Sequence, residues 1–177
     1  MCIRDRQNTT AIPPRASGRA SLPLSGSQRR FWLYQQLHPD QPVIRPVILR
    51  LDGPLDRQAL VDGLNEIVRR HEILRTVYQE QVGEPVQVVL PFRPFDLPEE
   101  DLRAPSALDE DRLLRELAAA EAAIGFDLTN GPVFRLKLVR LGHDRHVLMA
   151  MIHHIAFDGW SVSVLCLLYT FDAADDP

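Results

Sequence analysis

Two adjacent histidines set in an otherwise apolar stretch are the residues best suited to chemistry in this chain. They lie in Met151-Ile152-His153-His154-Ile155-Ala156-Phe157-Asp158-Gly159-Trp160-Ser161. Imidazole is the side chain whose charge changes near neutral pH, so one held at the end of a rigid strand suits acid–base work. Side chains alternate along a strand, which sends His153 and His154 to opposite sides. One can face a cleft while the other must find partners in the core. The plainer alternative is that both are satisfied core or edge residues. Metal binding is not expected, because adjacent histidines on one strand cannot readily hold one ion and no third ligand stands at suitable spacing. The Asp158-Gly159 pair that follows is a turn signal.

The elements that must position these residues are written in hydrophobic periodicity. Val147 to Ile152 is apolar throughout, which predicts a strand buried on both faces. With Val133 to Leu141 it makes a hairpin across Gly142-His143-Asp144. Upstream, Ser25 opens a helix that runs through Leu37 and ends at His38-Pro39. Val43 to Leu51 reads as a strand, with Pro46 pointing to an edge or an irregular start. Asp56 is an N-cap for a helix whose apolar positions are Leu60, Leu64, Ile67, Val68 and His71. Leu74 to Gln81 and Pro85 to Leu90 form a hairpin around Gly83-Glu84, and Pro91 to Pro105 reads as a proline-broken loop. Leu108 to Ile124 is a helix with Leu113, Leu117, Ala120 and Ile124 on one face, ended by Gly125. The order helix, strand, helix, hairpin, helix, hairpin predicts an α/β fold: a two-layer sandwich of helices on a mixed or antiparallel sheet.

The 177 residues are 45% hydrophobic and 25% charged, which is globular composition, and the net charge of -4 disfavours a nucleic-acid partner. No apolar run approaches the ~18 residues of a membrane span, and no secretory leader is visible, so a cytoplasmic protein is expected. Residues 1–21 read as a linker. Met1 to Arg6 resembles a translated sequencing-library transposon end, and residues 166–177 resemble its reverse complement followed by adapter read-through. Both cysteines, Cys2 and Cys166, fall in those segments, leaving residues 22–165 as the folding unit without a disulfide.

His153-His154-Ile155-Ala156-Phe157-Asp158-Gly159 matches the HHxxxDG signature of condensation domains of nonribosomal peptide synthetases. Leu24 to Trp32 resembles the first motif of that family, with Gly26-Ser27 departing from its usual pattern. Arg70 to Tyr78 resembles the second motif almost unchanged. Phe126-Asp127-Leu128, Gly131-Pro132 and His146-Val147-Leu148 resemble the approach to the family's active-site strand.

The resemblance implies one lobe, the N-terminal one, of a chloramphenicol acetyltransferase-like fold, cut short before its second lobe. It implies amide bond formation between a donor acyl or aminoacyl thioester and an aminoacyl acceptor, both carried on phosphopantetheine arms of carrier proteins. Carrier domains, the missing lobe and an adjacent adenylation domain would be its partners; no bound cofactor is implied, and no membrane. His154 would be the active-site histidine, acting as a base or as a group that positions the amine and stabilises the charged intermediate. His153 would be its structural partner. Asp158 would orient the loop through an ion pair with Arg75, which is otherwise a surface arginine. Gly159 would leave room for the phosphopantetheine arm, or be a simple turn glycine. Two rivals remain: a freestanding acyl-coenzyme-A-dependent O- or N-acyltransferase of the same superfamily, and a non-catalytic docking module. A heterocyclising variant is disfavoured by His153 where Asp is expected, an epimerising one by Asp158-Gly159-Trp160-Ser161.

Overall fold

The computed structural model describes residues 21–102 and 106–157. In chain order its elements are β1 (Leu22–Pro23), α1 (Gly26–Leu37), β2 (Ile44–Asp52), α2 (Arg57–Arg70), a 3-10 turn (Glu72–Arg75), β3 (Thr76–Gln81), β4 (Glu84–Val89), β5 (Glu99–Asp101), α3 (Ala107–Ala123), β6 (Phe134–Arg140) and β7 (Arg145–His153).

Helix α1 starts at Ser25 because a capping box is written into the sequence. The Ser25 hydroxyl accepts from the Gln28 amide at 3.2 Å, and the Gln28 side chain accepts from the Ser25 amide at 2.8 Å. Two N-terminal donors of the helix are thereby satisfied. Asp56 caps α2 with a single bond, accepting from Ala59 N–H at 3.0 Å.

The main sheet runs β2-β7-β6-β5. Strand β7 pairs antiparallel with β2 on one side and β6 on the other. Its eight residues from His146 to His153 are all buried, which is the reason its sequence is apolar almost throughout. Each fully buried aliphatic side chain there contributes roughly 1.5–3 kcal/mol. Leu60, Val61 and Leu64 of α2 cover one face of this sheet, against Leu138 and Leu148. Leu114 of α3 covers the other, against Val139, Val147 and Met149. The second sheet, β1-β4-β3, is antiparallel. Its β3–β4 turn places Val82 (φ 54) and Gly83 (φ 79) both in the left-handed region.

The architecture is the expected α/β sandwich, with several local corrections. Glu99–Asp101, read as loop, is a strand parallel to β6. Its charges explain both its lack of apolar pattern and its place: Glu100 pairs with Lys137 at 3.0 Å and Asp101 with Arg140 at 2.9 Å. Leu74 and Arg75, read as strand, lie in the 3-10 turn that precedes β3. Helix α3 buries a face rotated from the one expected. Leu114 is buried while Ile124 is 55% exposed. Two acidic residues fix this rotation. Glu110 meets Arg145 at 3.1 Å and Arg50 at 3.4 Å, and Glu121 pairs with Lys137. The apolar pattern alone did not count these carboxylates as inward-facing.

Candidate active site

Strand β7 ends between two clamps. The His153 amide donates to the Val133 carbonyl beside β6 at 2.9 Å. The next amide, of His154, donates to the Val43 carbonyl beside β2, also at 2.9 Å. The chain then turns sharply, and Ala156 N–H closes the turn on the His153 carbonyl at 3.0 Å.

His153 is fully buried. Its Nδ1 accepts the Ile155 amide at 3.0 Å, so its proton resides on Nε2, which faces Gln35 Oε1 at 3.4 Å. Its ring meets Phe126 edge-on, with centroids 6.1 Å apart. Burial, followed by the neighbouring His154, pushes its pKa down to about 4. The ring is therefore neutral near pH 7 and poorly placed to exchange protons with a substrate. His154 is only half-buried and stacks on Phe31 at 5.4 Å, with ring planes 12° apart.

The two rings are distinguished by burial. Strand β7 stops at His153 and His154 already belongs to the turn. Both rings meet α1, through Gln35 and Phe31. Those residues are four apart and so share one helix face.

The three motif segments converge here. Gln28 of α1 donates to the Tyr78 hydroxyl at 3.3 Å and to Gln87 Oε1 at 3.2 Å. Tyr78 directs its O–H at the Ile155 carbonyl, 3.5 Å away, in the turn that follows the histidines. Burial pushes the Tyr78 phenol up to about 12, so it remains a neutral donor. On the far side, Arg135 braces Phe126. Its guanidinium lies 4.2 Å from the Phe126 ring centre and donates to the Glu121, Ile124 and Gly125 carbonyls at the end of α3.

Arg75 donates to the Leu90 carbonyl at 2.6 Å and lies 3.4 Å from Glu72. It borders a cavity of about 650 Å³ whose walls include Phe95, Phe134, Met149 and Met151. Asp158 and Gly159 fall outside the described residues, and with them the expected Arg75–Asp158 ion pair. The two adapter-like ends fall outside as well. Among the described residues, no three His, Cys, Asp or Glu side chains gather to hold a metal ion.

Phe31, Gln35, Gln28 and Tyr78 were not anticipated as parts of the site. The first three share one helix, and a polar Gln35 one turn beyond Phe31 was the available signal.

With this geometry, a family match spans the whole described region: residues 19–167 match the model of the condensation domain. The chain belongs to the condensation domain family. It is 44% identical over 168 residues to chondramide synthase of Chondromyces crocatus, covering 92% of this chain and 4% of that protein. Against the phosphinothricin tripeptide synthetase of Streptomyces viridochromogenes it is 40% identical, covering 88% of this chain and 14% of the relative. Among solved structures, the X-domain from teicoplanin biosynthesis superposes with a TM-score of 0.71 at 32% identity, covering 80% of this chain and 30% of that one. The starter condensation domain of the rhizomide synthetase gives a TM-score of 0.75 at 21% identity, covering 89% and 39%, and shows the shared fold. The chain thus spans a small part of its curated relatives and about a third of the solved condensation-domain chains. No described helix is long and apolar enough to cross a membrane.

Proposed function

We propose that these residues form part of an acyl-transfer site that joins a carrier-bound acyl or aminoacyl thioester to a carrier-bound aminoacyl acceptor. The observation that carries this is the contrast between two adjacent imidazoles in a condensation-domain chain. His153 is buried, hydrogen-bonded at Nδ1 and held neutral. His154 is half-exposed and fixed through its backbone and its stack on Phe31.

The acceptor amine attacks the thioester carbonyl carbon. The carbon–nitrogen bond forms, the carbon–sulfur bond breaks, and the proton lost by nitrogen ends on the departing sulfur. His154 accepts a hydrogen bond from that nitrogen, which carries positive charge in the tetrahedral intermediate. A preorganised acceptor at this point stabilises developing charge. His153 supports the turn. Arg75 and Asp158 pair to hold the loop, and Gly159 admits the phosphopantetheine arm. The carrier proteins supply both substrates, and no bound cofactor is required. An adenylation domain would load the acceptor carrier.

The test is amide formation by a complete condensation domain carrying these residues, with both carriers loaded, read by mass spectrometry. The proposed function expects product from the carrier-bound donor. Product only from an acyl-coenzyme A donor would instead assign a freestanding acyltransferase.

A further inference from the structure

We propose that Gln35, acting through His153, is a positioning residue for His154. A neutral imidazole has one donor and one acceptor nitrogen. The Ile155 amide takes the acceptor, Nδ1, at 3.0 Å. The Nε2 proton must then find its own acceptor, and the ring has no exposure to water. Gln35 Oε1 stands there at 3.4 Å. The orientation of that amide is set from its other end, because Gln35 Nε2 donates to the Pro39 carbonyl at 3.3 Å.

The alternative tautomer would set the Nδ1 proton against the Ile155 N–H. That arrangement loses a hydrogen bond and buries two facing donors, which costs more than the bond alone. The Ile155 amide therefore selects the tautomer, and Gln35 anchors its Nε2 proton, holding the ring where it ties down Ile155, the residue after His154. One helical turn earlier, Phe31 stacks on His154 itself. A single face of α1 thus sets both the ring plane of His154 and the backbone path leaving it.

Nitrogen-15 NMR of the labelled full chain at pH 8 reads the His153 tautomer and the exchange rate of the Ile155 amide, for wild type, Gln35→Met and Gln35→Glu. Methionine keeps the length without a strong acceptor, and glutamate keeps an acceptor. Wild type and Gln35→Glu should show His153 protonated at Nε2 with a protected Ile155 amide, and Gln35→Met should keep that tautomer but exchange the Ile155 amide roughly tenfold faster. A wild-type ring protonated at Nδ1, or an Ile155 amide in Gln35→Met that exchanges at the wild-type rate, overturns the proposal. The link to His154 rests on the acyl-transfer reading. In a complete condensation domain, Gln35→Met should lower kcat roughly tenfold with KM for the loaded carriers nearly unchanged, and Gln35→Glu should recover most of the loss. A rise in KM at constant kcat would overturn it. A wild-type domain without turnover would remove the acyl-transfer reading while the amide-exchange measurement still decides the role of Gln35.

Discussion

Replacing His153 by asparagine should flatten the acid side of the stability profile. In the folded chain burial holds this imidazole neutral, with a pKa of about 4 against an ordinary 6.5. The unfolded state thus binds a proton that the folded state refuses anywhere between those two values. The stability tied to neutral His153 is complete above pH 6.5 and is lost as pH falls from 6.5 towards 4. Each pH unit in that window is worth about 1.4 kcal/mol, so wild type should lose roughly 2 kcal/mol between pH 7 and pH 5 from this residue. Asparagine cannot titrate, yet it offers a carbonyl oxygen where Nδ1 accepts the Ile155 amide. The assay is urea denaturation at half-unit intervals from pH 8 to pH 5, followed by circular dichroism. The wild-type curve should fall more steeply than that of His153→Asn, with a widening gap below pH 6.5. Parallel curves would refute the claim that His153 is buried and neutral.

Other residues give equally direct tests. Val82 is fully exposed with φ 54 in the β3–β4 turn, and Val82→Asn should stabilise the chain by about 1 kcal/mol in denaturant melts, since asparagine tolerates that conformation. Ser25→Ala removes the α1 capping box and should cost about 1 kcal/mol, accompanied by faster amide exchange at residues 26–28. In alkaline titration followed by phenolate absorbance, one component should appear near pH 12 and vanish in Tyr78→Phe; the buried neutral phenol favours folding fully below pH 10, and that contribution declines as pH rises towards 12.

Much of the fold was legible because several segments announce themselves locally. The serine–glutamine capping box marks the start of α1, Asp56 marks α2, and the apolar run before the histidines marks a central strand. Pro46 pointed to an edge or an irregular start, and among the described residues β2 lies at the edge of its sheet. Short strands escaped notice because their partners define them. Leu22–Pro23 exists as β1 only through its pairing with Gln87 and Val86. Glu99–Asp101 is held by Lys137 and Arg140 rather than by any alternation of its own. The same limit applies to the site. The HHxxxDG signature pointed to the two histidines, but their supports come from far along the chain: Gln35 is 118 residues from His153, and Tyr78 is 77 from Ile155. Hydrophobic periodicity reports which face of an element is buried. It does not report which polar side chain on that face will meet a buried imidazole.

The central claim is that His154, and not its buried neighbour, serves the acyl-transfer chemistry. Single-turnover amide formation between loaded donor and acceptor carriers tests it, comparing a complete condensation domain carrying these residues with its His154→Ala variant. His154 is half-exposed, and its hydrogen bond to the Val43 carbonyl is made by its backbone amide, so the variant should remain folded. Its rate should be at least roughly a hundredfold lower than wild type, with both carriers still bound. A folded variant that forms the amide at the wild-type rate would contradict the claim.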